Sequence, residues 1–224
     1  MPPRSDLTRR AHAALAVLTL AALVLQFVLV VQDAGILIEQ DTRPDLDVRL
    51  ARFFSYFTIQ ANVLVFLVSA AVARGSHIAR PMWQAVRLST LTGIIVTGVV
   101  HWVALRPLLD LSGGPWLADK LLHVAVPLVA VVAWLAVGPH GLGLWRRVAQ
   151  ALIWPAAWAV FTLIRGAITG WYPYPFIDAS DLGAGRTTFN VIGIALLFGA
   201  VAAGVLAVDR RLAQRQPVPR SSPL

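Results

Sequence analysis

Six stretches of the chain are near-continuous apolar runs, at about 12–32, 53–73, 85–106, 117–137, 147–168 and 188–208. Each is close to the roughly 20 residues that a helix needs to cross a hydrocarbon core of about 30 Å. Helices suit that setting because each satisfies its own backbone hydrogen bonds. A β-barrel would show short alternating segments instead. The pattern therefore predicts an all-α polytopic membrane bundle of six transmembrane helices, forming one domain over residues 1–211. A Pro-, Ser- and Arg-rich tail at 212–224 is expected to be disordered. The first run follows Arg4, Arg9 and Arg10, as in a secretory signal. Its apolar length of about 19 residues and the lack of a clear small-residue cleavage site predict an uncleaved first helix. No internal repeat is visible, which gives no support to a transporter built from inverted repeats.

Polar residues interrupt these runs at helical spacing. Ser55, Thr58, Asn62 and Ser69 share one face of the second helix. Thr90, Gly93, Thr97 and His101 do the same on the third, and Asp119, His123 and Pro127 on the fourth. Trp158, Thr162, Arg165 and Thr169 form a stripe on the fifth, and Asn190 opens the sixth. Polar groups in lipid are costly and turn toward the bundle interior. Following the helix directions, Thr58, His101, His123, Arg165 and Asn190 all fall within about two turns of the same membrane face. They lie under a loop at 169–187 that carries Trp171-Tyr172-Pro173-Tyr174-Pro175-Phe176-Ile177-Asp178. A polar pocket in that leaflet is the expectation. Each residue also has a structural reading. Thr58 can bond its own helix carbonyl, and Asn62 and the histidines can tie neighbouring helices. Arg165 can snorkel or pair with Asp178, and the aromatic loop can serve as an interfacial belt.

Composition and charge sharpen the membrane reading. Of 224 residues, 58% are hydrophobic and the mean hydropathy is +0.71, against about 45–50% apolar in soluble domains. With no cysteine, disulfides, thiolate nucleophiles and cysteine metal sites are excluded. The formal charge of +8 does not indicate nucleic acid, because the basic residues sit in short loops and tails. The two termini and the 74–87 and 138–147 loops hold 12 of the 19 basic residues and only Asp6 and Asp209 of the 11 acids. The positive-inside rule makes that side cytoplasmic. The expectation is a multi-pass protein of the cell membrane with both termini inside and membrane lipids as partners; its oligomeric state is left open.

Three segments occur together in an order that carries a resemblance: Phe57-Thr58-Ile59-Gln60 opening the second helix, His123 followed by Pro127, and Tyr174-Pro175-Phe176-Ile177-Asp178 with Gly183 to Arg186. They resemble the androgen-induced protein and androgen-dependent TFPI-regulating protein family, and more closely its bacterial six-helix branch. The resemblance covers nearly the whole chain in helix number and order. It departs from the animal members in the spacing from histidine to proline, four here and five there as aligned, and in His101, which has no clear counterpart. The resemblance implies six helices, cytoplasmic termini, and hydrolysis of fatty acid esters of hydroxy fatty acids by an intramembrane threonine and a histidine. Those roles fall on Thr58 and His123. Threonine needs a base to become nucleophilic, and a histidine titrates in the useful range. Asp119, one turn before His123, can orient its ring. Asn62 and Arg165 are candidate oxyanion donors by placement, and Arg165 can also take the carboxylate of a lipid acid. No cofactor and no metal ligand set is assigned. Two other classes stay open: a non-catalytic lipid-binding or small transport protein, and a haem or metal protein using His101 and His123.

Overall fold

A computed structural model describes residues 4–32, 44–76 and 80–215. The acidic residues Asp33, Glu39 and Asp41 of the first outer loop, and the tail from 216 onward, lie outside the described residues. Among those described there are helices and no strand. Helix α1 spans Arg4–Val31, α2 Leu46–Ser55, α3 Phe57–Ala73 and α4 Pro81–Val100. Then come α5 Gly113–Lys120, α6 Val126–Val137, α7 Arg146–Ala151, α8 Ile153–Thr169 and α9 Ala179–Gln214. Among the described residues five helical stretches are long and apolar enough to cross a membrane, and α2 with α3 makes a bent pair that can serve as a sixth. These helices are compatible with an integral membrane protein. The fold is all-α, as the apolar runs required.

The apolar core runs through α1, α3, α4 and α6. Helix α1 lies against α3 and α6, and α4 packs between α3, α6 and α9. Leu15, Ala22, Val65, Ile94, Leu122 and Val126 are among its most buried side chains. Helix α8 sits at the periphery, with Val160, Phe161, Ile164 and Ile168 facing outward. In a soluble protein such a face would be a liability, and in lipid it is the expected surface.

The punctuation follows backbone chemistry. Pro81 opens α4, where its missing N–H has no partner to lose. Gly170 closes α8 in the left-handed region at φ 67°. Asp178 caps α9, its carboxylate accepting from the N–H groups of Ser180 and Asp181. At the end of the bundle where α1 begins, the 138–145 segment is held by side chains. Asp209 accepts from Trp134 Nε1 at 3.2 Å and from the N–H groups of Gly141 and Leu142 at 2.9 and 2.7 Å.

Three irregularities set the other end apart. The second apolar run, expected as one helix, bends by 67° between α2 and α3. Tyr56 is extended there, at φ −66° and ψ 128°. The carbonyls freed by the break are taken up locally: Gln60 Nε2 donates to Phe54 O at 3.0 Å and Trp158 Nε1 to Ser55 O at 2.9 Å. Such compensation is what a break at membrane depth requires. The other two irregularities are π-helical turns, His101–Leu105 after α4 and Leu121–Ala125 between α5 and α6. Single π turns inside helices often occur at functional sites. The second is followed by Pro127, whose ring would crowd the carbonyl of His123 in a regular helix. Widening the turn relieves that crowding.

Candidate active site

The bend and the two π turns converge on one small cluster. Thr58 is the second residue of α3, so its backbone N–H is among those a helix start leaves without an intrahelical acceptor. Thr58 Oγ1 lies 3.1 Å from His123 Nε2. His123 Nδ1 is 3.2 Å from the carbonyl oxygen of Asp119 and 3.0 Å from its carboxylate Oδ1. The ring N–H is aligned on the carbonyl; the carboxylate oxygen is closer but off that line. A carbonyl can only accept, so Nδ1 carries the hydrogen and Nε2 offers a lone pair to the Thr58 hydroxyl. Thr58, Asp119 and His123 are 6%, 4% and 5% exposed. Thr58 and His123 are thus joined with the polarity that a nucleophile–base pair needs, and the Asp119 carboxylate stands beside the ring N–H without lying on its line.

Tyr174 completes the line at its far end. Its hydroxyl accepts from the Thr58 N–H at 3.2 Å and lies 3.2 Å from Thr58 Oγ1. With Thr58 donating to His123, Tyr174 must donate to Thr58. Burial pushes the Tyr174 phenol above its ordinary range, so it keeps this hydrogen at neutral pH. The loop that carries it is fixed from several sides. Asn190 Nδ2 donates to Phe176 O at 2.8 Å, and Tyr174 stacks on Phe176 with Tyr56 edge-on. Tyr172 packs so closely on Gly166 that a Cβ there would sit 2.1 Å from its ring.

The remaining sequence candidates take up distinct positions. His101 stacks on His123 at 4.1 Å between centroids and 14° between planes. Its Nε2 is 3.5 Å from Asp119 Oδ2, and Lys120 Nζ is 2.8 Å from that same oxygen. Asp119 therefore stands between two imidazoles and an ammonium. Asn62 is fully buried and spends its amide hydrogens on Thr58 O at 2.8 Å and Leu122 O at 3.3 Å. It ties α3 to the π turn of His123 and has no hydrogen left for an oxyanion. Arg165 stands over the Trp171 ring at 4.9 Å and is not among the residues lining either cleft at Thr58. Asp178 is occupied as the α9 cap and does not pair with Arg165.

Two clefts meet at Thr58. One is partly open to the outside and is lined by Arg49, Arg52, Phe53, Leu111, Pro115, Asp119 and His123 among others. The other is apolar and aromatic, lined by Phe57, Val96, Leu105, Trp158, Phe176 and Phe198. Sequence reasoning did not single out Arg49, Arg52 or the contact of Tyr174 with Thr58. The two arginines belong to an acidic-looking outer segment, and the amphipathic character of 46–55 was their one available signal.

Axial ligation of a haem by His101 and His123 would require a macrocycle between two rings that are already in van der Waals contact. A small cation is a different matter: His101, Asp119 and His123 each offer a ligand atom within 4.8 Å of the others. Comparison with family models, curated proteins and solved structures finds no match for this chain.

Proposed function

We propose that the chain is a membrane hydrolase of lipid esters, with Thr58 as nucleophile, His123 as general base and Asp119 orienting His123. The observation that carries this reading is the buried Thr58–His123 hydrogen bond at the start of a helix, with the Asp119 carboxylate 3.0 Å from the far ring nitrogen, where two clefts meet. His123 Nε2 takes the hydroxyl proton as Thr58 Oγ1 adds to the ester carbonyl carbon. The carbonyl oxygen becomes an oxyanion and accepts from the Thr58 N–H and the Tyr174 hydroxyl. The start of α3 adds the positive end of its dipole. Collapse expels the alcohol, which takes the proton from His123, and leaves an acyl-threonine. Water, deprotonated by the same histidine, then releases the acid.

The clefts suit an ester with two apolar arms, and Arg49 and Arg52 place positive charge along one of them. That agrees with the fatty acid esters of hydroxy fatty acids implied by the resemblance to the androgen-induced protein family. The basic residues near the opposite end, among them Arg9, Arg10, Arg146 and Arg210, support cytoplasmic termini and a site in the outer leaflet of the cell membrane.

Purified protein given such an ester in detergent or nanodiscs should turn it over. Thr58→Ala and His123→Ala should each lower turnover by about 10³-fold or more with thermal stability retained, and a fluorophosphonate should label Thr58. Undiminished turnover in the two folded variants would end the assignment. Saturable ester binding without turnover in the unmodified chain would mark a lipid-binding protein instead.

A second reading is favoured by the ligand cluster itself. Two imidazoles and a carboxylate are a zinc donor set, although the stacked rings would have to turn to converge on one ion. Stoichiometric zinc in the purified protein, lost in His101→Ala, would favour it.

A further inference from the structure

The two clefts at Thr58 leave about 60 and 40 Å³ open. That is room for a few water-sized atoms, so each takes the start of an apolar arm and no more. A larger space lies beside them, on another face of α3. It is a groove of about 460 Å³ between α2, α3, α4 and α8, partly open to the outside. Its size falls within the roughly 300–1,000 Å³ of ligand pockets. Thr58, His123, Asp119 and Tyr174 do not line it.

Packing fixes the shape of the groove, and its lining favours an apolar occupant. Phe54, Val63, Leu64 and Val86 supply most of the wall. Trp154 lines one side and is held three ways. Its ring stacks on Phe57 at 4.4 Å between centroids and 19° between planes. Its Nε1 donates to Gln60 Oε1 at 3.0 Å. Gly93 makes room for it, since a Cβ there would lie 2.7 Å from the ring. The polar side chains of the wall already have partners: Gln60 Nε2 donates to Phe54 O, and Ser89 Oγ donates to Ala151 O at 2.7 Å. Residues 59–64 and 86–89 belong to the second and third apolar runs. In the proposed membrane setting the neighbours of the groove are therefore lipid tails.

One side chain joins the groove to the reacting group. Ile59, the residue after Thr58, lines both the groove and the cleft of Asp119 and His123. His123 returns its proton to the leaving alcohol, so the alcohol arm of the ester starts in that cleft. We propose that the groove holds the hydrocarbon tail of this alcohol arm, admitted sideways from the bilayer, with Ile59 as the threshold. The inference rests on the hydrolase reading and deepens it: the substrate class is an ester of a long-chain alcohol. Lipid tails are as apolar as the groove, so no hydrophobic gain drives the tail in. The groove acts by shape, holding the tail so that the ester carbon lies at Thr58.

The test compares the full chain in nanodiscs with a Val63→Trp, Leu64→Trp double variant, which fills the groove. Neither residue lines a cleft at Thr58. Two palmitate esters are given, one of a long-chain secondary alcohol and one of methanol. The variant should lose about tenfold or more in kcat/KM on the long ester, as misplacing a reacting group does. It should keep its rate on the methyl ester. Val63→Trp alone serves if the double variant fails to fold. An unreactive ether analogue with a diazirine on its tail should label segments 54–64 and 86–89, and excess unlabelled ether should suppress that labelling. Suppressible labelling with turnover of neither ester would remove the hydrolase reading and leave the tail site standing. Equal loss on both esters, loss on neither, or labelling that excess ether leaves unchanged, as bulk lipid would give, would overturn the proposal.

Discussion

Tyr174 illustrates how much one side chain does at this site. Its oxygen accepts the Thr58 N–H, and its hydrogen points at the reacting hydroxyl. Tyr174→Phe should therefore lower kcat by about 10²-fold, the scale for one lost oxyanion donor, with little change in KM; steady-state kinetics decide it. Because burial raises the phenol, activity should show no loss near the ordinary tyrosine range as pH rises. The folded-state value lies above the unfolded one, so the neutral form that donates persists to higher pH. At the other end of the line, Asp119→Asn keeps the shape but removes the charge that stabilises a protonated His123. A fall in kcat of about 10³–10⁴-fold is expected by analogy with other triads. A change of less than threefold would reduce Asp119 to a helix-packing residue.

The elements act by being irregular. A straight helix through 53–73 would bury the N–H of Thr58 in the ladder; the bend at Tyr56 frees it and aims a helix start at the cleft. The π turn at Leu121–Ala125 shifts His123 relative to a regular helix, and Asn62 fixes that turn against α3. The aromatic loop then depends on Gly166. A methyl there would overlap the Tyr172 ring, so Gly166→Ala should destabilise the fold by about 1–3 kcal/mol, as overpacking does. It should also lower turnover although it touches no reacting group. Thermal unfolding and kinetics on the same preparation separate the two effects. Unaltered stability and rate would mean that the loop repacks freely.

Over the whole molecule, the four inner helices carry a polar cluster near each end: Thr58, His123 and Asp119 at one, His12, Ser69 and Arg87 at the other. The proposed orientation puts the first in the outer leaflet and the second in the inner one. Because the chain has no cysteine, single substitutions report on sidedness without background. Asp110→Cys should react with an impermeant maleimide on intact cells, and Leu144→Cys only after the membrane is opened. The reverse pattern would invert the orientation and place the Thr58 cleft in the inner leaflet.

Apolar run length by itself marked out the helices long enough to cross a membrane, because crossing lipid is a one-dimensional demand on consecutive residues. Helical periodicity likewise put Asp119, His123, Thr58 and Asn62 on inward faces. Tertiary structure alone decided what those faces meet. The break at Tyr56 has no proline or glycine to announce it, and its freed carbonyls are satisfied by Gln60 of α3 itself and by Trp158 of α8 across the bundle. Packing moved Arg165 to Trp171, gave the cleft Arg49 and Arg52, turned Asn62 into a tie and brought Tyr174 onto Thr58 across 116 residues. Spacing along one helix fixes an angle about its axis, whereas contact between helices depends on bends and loop lengths that no local pattern encodes.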